Sequence, residues 1–156
     1  MMRRSLVSFM FALVILSLAS AQDYKTGIGV RAGFSSGLTV KHFTSQNIAL
    51  EGLFTTRWQG FVFTGLYEVQ NRAFDVKRLN WYYGGGAHLG FYNGSYAYWG
   101  DRGTAYTVIG IDGIIGMEYN FDEIPINIGV DWKPALNFIG YTGFWSEGAI
   151  SIRYIF

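Results

Sequence analysis

The stretch V-I-G-I-D-G-I-I-G-M-E-Y, Val108 to Tyr119, decides how this chain is read. Laid out as an extended strand, it sends successive side chains to opposite faces. Ile109, Ile111, Gly113, Ile115, Met117 and Tyr119 share one face, and Val108, Gly110, Asp112, Ile114, Gly116 and Glu118 share the other. A face turned to water should carry dense Lys, Glu, Gln and Thr. Here the second face is mostly small, with single charges, which suits a cramped interior. The bulky face must then point outward, and lipid is the surrounding that accepts it.

The same division recurs along the chain. Ile126, Ile128, Val130 and Trp132 oppose Asn127, Gly129, Asp131 and Lys133. Trp81, Tyr83, Ala87, Leu89 and Phe91 oppose Tyr82, Gly84, Gly86, His88 and Gly90, while Ile28, Val30, Ala32 and Phe34 oppose Gly27, Gly29, Arg31 and Gly33. No stretch after Ala21 sustains a helical period. Alternation predicts eight strands, at 25–35, 38–43, 48–58, 61–70, 80–92, 106–121, 126–134 and 147–156. With strands so close in sequence the economical topology is an up-and-down antiparallel meander. Closing it into an eight-stranded transmembrane β-barrel pairs every backbone group and leaves no free edge. The expected fold is therefore all-β.

Composition agrees. Charged residues are 15% of the chain and aromatics 19%, with 21 glycines, two prolines and no cysteine, where soluble chains carry about 25% charge. The first residues read as an export signal: Arg3 and Arg4, an apolar run from Leu6 to Leu18, and the small-residue site Ala19-Ser20-Ala21. That apolar run is shorter than the roughly 20 residues of a membrane-spanning helix. The expected division is a signal peptide at 1–21 and an outer-membrane barrel at 22–156. Without Arg3 and Arg4 the chain has ten basic and eleven acidic residues, 10 − 11 = −1, so there is no basic stripe for nucleic acid. Absent cysteine excludes disulfides, thiolate metal sites and a cysteine nucleophile. No cofactor is expected.

The segment G-A-I-S-I-R-Y-I-F, Gly148 to Phe156, alternates Ile150, Ile152, Tyr154 and Phe156 against Ala149, Ser151, Arg153 and Ile155. It resembles the closing strand of bacterial outer-membrane β-barrels. That resemblance implies that Ile150, Ile152, Tyr154 and Phe156 form the signal read by the barrel-assembly machinery. The segment G-M-E-Y-N-F-D-E-I-P-I-N-I-G-V-D-W-K-P-A-L-N-F, Gly116 to Phe138, resembles the penultimate hairpin of small barrels of the Bacteroidota-type outer-membrane β-barrel domain family, whose members mostly lack an assigned function. With both termini periplasmic, Trp81, Tyr119, Phe121, Tyr154 and Phe156 are expected near the inner interface and Trp58, Tyr106 and Phe138 near the outer one, as aromatic girdles. Surface adhesins of this size carry long outer loops, whereas the first two outer connections here are two residues each, which weighs against adhesion.

Nine charged residues are assigned inward: Arg31, Arg57, Lys133 and Arg153 against Glu51, Glu68, Asp112, Glu118 and Asp131. Eight strands leave a bore that side chains about fill, so these should cross-pair into a structural plug. An ion or proton path is the functional alternative, and a wide diffusive pore does not fit. A lipid A-modifying enzyme would need a histidine, a serine and an acid converging near the outer leaflet. His88 is followed by Leu89-Gly90 where a deacylase-like pattern needs serine, and His42 falls by an inner turn, so both read as non-catalytic.

The third outer loop, 92–105, offers Tyr96, Tyr98, Trp99, Asp101 and Arg102 as candidate contacts for sugar or protein. A self-packed lid over the barrel mouth is the alternative. Trp145 in the last outer connection lies beside that loop. The expected role is a non-enzymatic outer-membrane barrel, structural or accessory within a larger outer-membrane assembly, in contact with outer-membrane lipid and with no nucleic-acid partner. The alternatives are a lipid A-modifying enzyme and a secreted soluble barrel that binds an apolar ligand.

Overall fold

In the computed structural model, which describes residues 24–156, eight strands follow one another in chain order: β1 (Thr26–Gly33), β2 (Ser36–Phe43), β3 (Ile48–Arg57), β4 (Gly60–Arg72), β5 (Leu79–Asn93), β6 (Ala105–Asn120), β7 (Ile126–Ile139) and β8 (Gly143–Ile155). The segment expected to be a signal peptide lies outside the described residues. Each strand pairs antiparallel with its chain neighbours, and β8 pairs with β1, from Gly27 opposite Ile155 to Gly33 opposite Ala149, closing the barrel. This is the eight-stranded up-and-down barrel expected from the alternation.

The two faces are inverted relative to a water-soluble protein. On β6, Asp112, Gly116 and Glu118 are buried while Ile111, Ile115, Met117 and Tyr119 are exposed. On β7, Ile128, Val130 and Trp132 point out and Asn127, Asp131 and Lys133 point in. The most completely buried large side chains are mainly charged, led by Arg31 and Arg153. Two small apolar clusters sit among them inside the bore, one of Leu53, Leu66, Tyr82 and Ile114 and one of Val62, Tyr92 and Val108 toward its other end.

Several strands are longer than their alternation suggested. β7 passes through Pro134 and continues to Ile139, and β8 begins at Gly143, so the last connection is 140–142 and not 135–146. Pro134 has no N–H to donate, and the β6–β7 register steps from Ile115 opposite Trp132 to Asp112 opposite Ala135 without it. Its other neighbour, β8, still runs alongside, with Pro134 opposite Ser146. The proline therefore interrupts one ladder without ending the strand. A register shift near Ile109 and Gly110 marks the same region as irregular. The turn 58–59 has positive φ at both Trp58 and Gln59 (49° and 56°), the arrangement of a two-residue hairpin whose twist matches its strands.

Rings cluster toward both ends of the outer wall. At the end near the chain termini, Trp81 stacks with Tyr83 (5.2 Å), Tyr119 meets Phe121 edge-on (5.1 Å), and Tyr154 lies near Phe156 (6.0 Å). Toward the opposite end, here called the mouth, Phe54 packs with Phe61 and Phe63, and Phe34, Phe138 and Phe144 are exposed. Trp58 and Tyr106, expected in that outer ring, instead pack into the mouth of the bore. Tyr106 shares its face of β6 with buried Val108, and Trp58 sits in the hairpin turn.

Candidate functional site

The bore holds two networks of charge. The first lies toward the end near the termini. Arg153 on β8 forms an ion pair with Glu51 on β3, donates to Thr39 Oγ1 (3.1 Å) and Asn127 Oδ1 (3.0 Å), and lies 3.8 Å from Glu118 Oε2. Lys41 on β2 reaches Glu68 (2.8 Å) and Glu118 (3.2 Å), with its ammonium 3.9 Å above the Tyr82 ring. Glu118 also accepts from Tyr24 and Gln70, both at 2.9 Å. These partners come from different strands because each strand turns every second side chain inward, so the network ties the barrel across its axis.

The second network lies nearer the mouth. Arg31 grips Asp131 with two hydrogen bonds, 2.5 and 2.7 Å, the bidentate geometry that suits a planar guanidinium. Lys133 bridges Asp112 (2.9 Å) and Glu147 (3.5 Å), and Glu147 accepts from the Ser35 hydroxyl and backbone N–H. His88 is held on both sides, Nδ1 to Asp112 at 2.6 Å and Nε2 to Asn137 at 2.8 Å. Tyr82 links the networks, donating to Asp131 (3.3 Å) while its ring lies against Lys41.

Glycines make room for these long side chains. A Cβ on Gly116 would stand 2.6 Å from the Tyr82 ring and 2.7 Å from Asp131 Cβ, and one on Gly110 would stand 2.5 Å from the His88 ring. At these two positions glycine is a packing requirement of the charge plug.

Eight of the nine charged residues assigned inward are buried in the bore: Arg31, Glu51, Glu68, Asp112, Glu118, Asp131, Lys133 and Arg153. Arg57 is set apart from them. It lies at the mouth, its guanidinium 4.0 Å from the Trp58 ring centre and 5.4 Å from that of Trp145. Sequence reading missed two full members, Lys41 and Glu147, both buried. The signal was present. Lys41 follows Thr39 at the inward spacing of β2, and Glu147 precedes Ala149, Ser151 and Arg153 at the inward spacing of β8.

The mouth is covered by rings. Trp99 stacks flat on Tyr141 (4.3 Å, 11°) and meets Tyr92 and Tyr106 edge-on. Asp101 is tied to the Tyr106 hydroxyl through its backbone N–H (3.0 Å), and Ser95 accepts from the Gly103 N–H (2.8 Å). Trp145, expected in a loop, belongs to β8 and points into the mouth, with Lys133 Nζ 4.6 Å from its ring and its Nε1–H directed at Asn137. Tyr96, Tyr98 and Arg102 remain exposed, Tyr98 standing edge-on to Trp58 at 5.1 Å. Much of the third outer loop is therefore committed to self-packing.

The histidines occupy separate places. His42 is exposed on the outer wall beside Thr26 (2.8 Å), and His88 is engaged inside the bore, while Ser95 is held within its own loop. Ile150, Ile152 and Phe156 lie exposed on the outward face of the closing strand, with Tyr154 half-buried on the same face. Among the described residues, no cluster of His, Cys, Asp or Glu is arranged to hold a metal ion. Comparison of the chain with protein-family models, with curated proteins and with solved structures finds no match.

Proposed function

We propose that this protein is a small integral outer-membrane β-barrel, non-enzymatic, that serves as a structural or accessory element of the envelope. The observation that carries the reading is the inversion of polarity: isoleucines, valines and aromatic rings cover the outer wall while ten ionisable acid and base side chains fill the bore. In water that arrangement would waste the hydrophobic effect and bury charge at a cost of several kcal/mol per ion, of the order of its desolvation penalty. In a bilayer each face meets a medium it suits.

The filled bore argues against a diffusive pore. The separation of His88, His42 and Ser95 favours a non-catalytic role over lipid A modification. The outer wall would be the surface for outer-membrane lipid. The outward alternation of Ile150, Ile152, Tyr154 and Phe156 on β8, the strand that closes against β1, matches what the resembled family presents to the barrel-assembly machinery. Exposed Tyr96, Tyr98 and Arg102 at the mouth are the side chains left for a partner within a larger outer-membrane complex.

The test is fractionation of cells that make the protein, followed by gel mobility of unheated and heated samples. Recovery with the outer membrane, and a mobility that shifts on heating, are expected of a closed barrel that resists detergent. Full solubility without detergent overturns the proposal and favours the secreted, ligand-binding barrel.

A further inference from the structure

The charges in the bore do not balance. The network near the chain termini holds Lys41 and Arg153 against Glu51, Glu68 and Glu118, 2 − 3 = −1. The network near the mouth holds Arg31 and Lys133 against Asp112, Asp131 and Glu147, again 2 − 3 = −1. That second network also contains His88. Its Nδ1 faces the Asp112 carboxylate and its Nε2 faces Asn137 Oδ1, the same oxygen at which Trp145 Nε1–H is directed.

The first network has no histidine. Its carboxylates are also unequally satisfied. Glu118 accepts from Tyr24, Gln70 and Lys41. Glu51 spends one oxygen on Thr39 and Arg153 and leaves Oε2 without a hydrogen-bond donor. Neither oxygen of Glu68 receives a well-directed hydrogen bond, although Lys41 Nζ is 2.8 Å away and the residue is fully buried. Glu51 on β3 and Glu68 on β4 are diagonal neighbours on the inward face of one antiparallel pair, Glu51 lying opposite Leu66 and Glu68 opposite Ala49, and both are buried. Two buried carboxylates side by side repel, and one proton between them removes both the repulsion and the missing donor.

We propose that Glu51 and Glu68 form a proton-binding site, a carboxyl pair that holds one shared proton between Glu68 and the free oxygen of Glu51 in the folded barrel at neutral pH. Around the pair stand Thr39 and Arg153 on Glu51 and Lys41 on Glu68, with Glu118 sharing both cations, the Tyr82 ring against Lys41, and Tyr24, from the segment before β1, on Glu118. Arg153 is committed to Glu51 and neither oxygen of Glu68 has a hydrogen-bond donor, which makes Glu68 the proton carrier. A small monovalent cation between the carboxylates would serve the same charge balance and would make stability depend on its concentration, whereas the proton does not. The inference rests on the barrel interior and holds whether or not the outer wall meets lipid.

Infrared spectroscopy of the folded full-length chain in deuterated buffer at neutral pH tests it. The remaining acids of the described chain are exposed or ion-paired, so a carbonyl stretch of a protonated carboxylic acid is expected from this pair alone. Glu68→Gln should abolish that band and leave the barrel as resistant to unfolding as the parent, because glutamine supplies a neutral donor in place of the proton. Asp131→Asn, which disrupts the Arg31 pair in the other network and leaves the charge around Glu51 and Glu68 unchanged, should keep the band and lower the unfolding temperature. A folded parent protein without the band at neutral pH, or with stability that depends on sodium concentration, overturns the proposal. So does a band that survives Glu68→Gln. The measurement on the parent protein stands even where a variant fails to fold.

Discussion

Replacing Arg153 with Met puts the charge plug to its sharpest test. The guanidinium is fully buried and serves Glu51, Thr39, Asn127 and, at longer range, Glu118. Methionine keeps the apolar stem and removes the charge, which leaves Glu51 and Glu118 with Lys41 as the nearest cation of that network. Breaking a buried ion pair by deleting one partner costs about 3 to 5 kcal/mol, because the survivor stays buried without its counter-charge. With a urea slope of about 2 kcal/mol per molar, a loss near 4 kcal/mol lowers the unfolding midpoint by about 2 M. Ile152→Met, one residue away on the outward face, is the control. Ile152 is 47% exposed, and exchange of one apolar side chain for another of similar volume costs under about 1.5 kcal/mol even in a packed core. Both variants would be unfolded in urea from a detergent-folded state and followed by tryptophan fluorescence and by gel mobility. Adding Glu51→Gln to Arg153→Met should recover part of the loss, since it removes the stranded charge. Equal midpoints for Arg153→Met and Ile152→Met would refute the reasoning, for they would mean that solvent reaches the bore and screens the pair.

Three further outcomes follow from the same geometry. Gly116→Ala, whose methyl collides with Tyr82 and Asp131, should destabilise by about 1 to 3 kcal/mol, whereas Gly52→Ala, with nothing within 4 Å of its new methyl, should be neutral or gain about 0.4 to 1 kcal/mol; urea midpoints of the two variants decide it. Trp99→Ala removes three ring contacts worth about 0.5 to 1.5 kcal/mol each and should make the loop 94–104 sensitive to limited proteolysis while the barrel stays resistant. Tyr141, in the connection between β7 and β8, is held above the ordinary tyrosine range by a hydrogen bond with Tyr98. Tyr98→Phe should therefore let Tyr141 ionise at lower pH, read by ultraviolet titration at alkaline pH.

The sequence carried the architecture because a strand repeats every two residues, and this chain writes opposite chemistries on the two phases. Asp112 and Glu118 fall on one phase of β6 and Ile111 and Met117 on the other, so the faces separate without knowledge of any contact. Lys41 and Glu147 were equally legible by that rule and needed only its extension to the ends of β2 and β8. Other features were not legible. Pro134 signals a break by its chemistry, and only the observed pairing shows that the lost N–H concerns one neighbouring strand. Trp58 read as a girdle ring and Trp145 as a loop contact by position, yet whether a ring at a strand end turns outward or over the mouth depends on its neighbours, here Arg57, Tyr98 and Lys133. Which carboxylate meets which cation across the axis depends on barrel closure, a relation between residues as distant as Arg31 and Asp131 that no local pattern records.

The central claim is that hydrocarbon covers the outer wall. Trp132 stands on that wall, on the outward face of β7 between Val130 and Pro134. With the other tryptophans replaced by phenylalanine, its fluorescence can be measured in vesicles whose lipids carry bromine on the acyl chains. The account predicts strong quenching by the brominated chains and little by a water-soluble quencher such as iodide. Ready quenching by iodide, with no response to bromine, would contradict it.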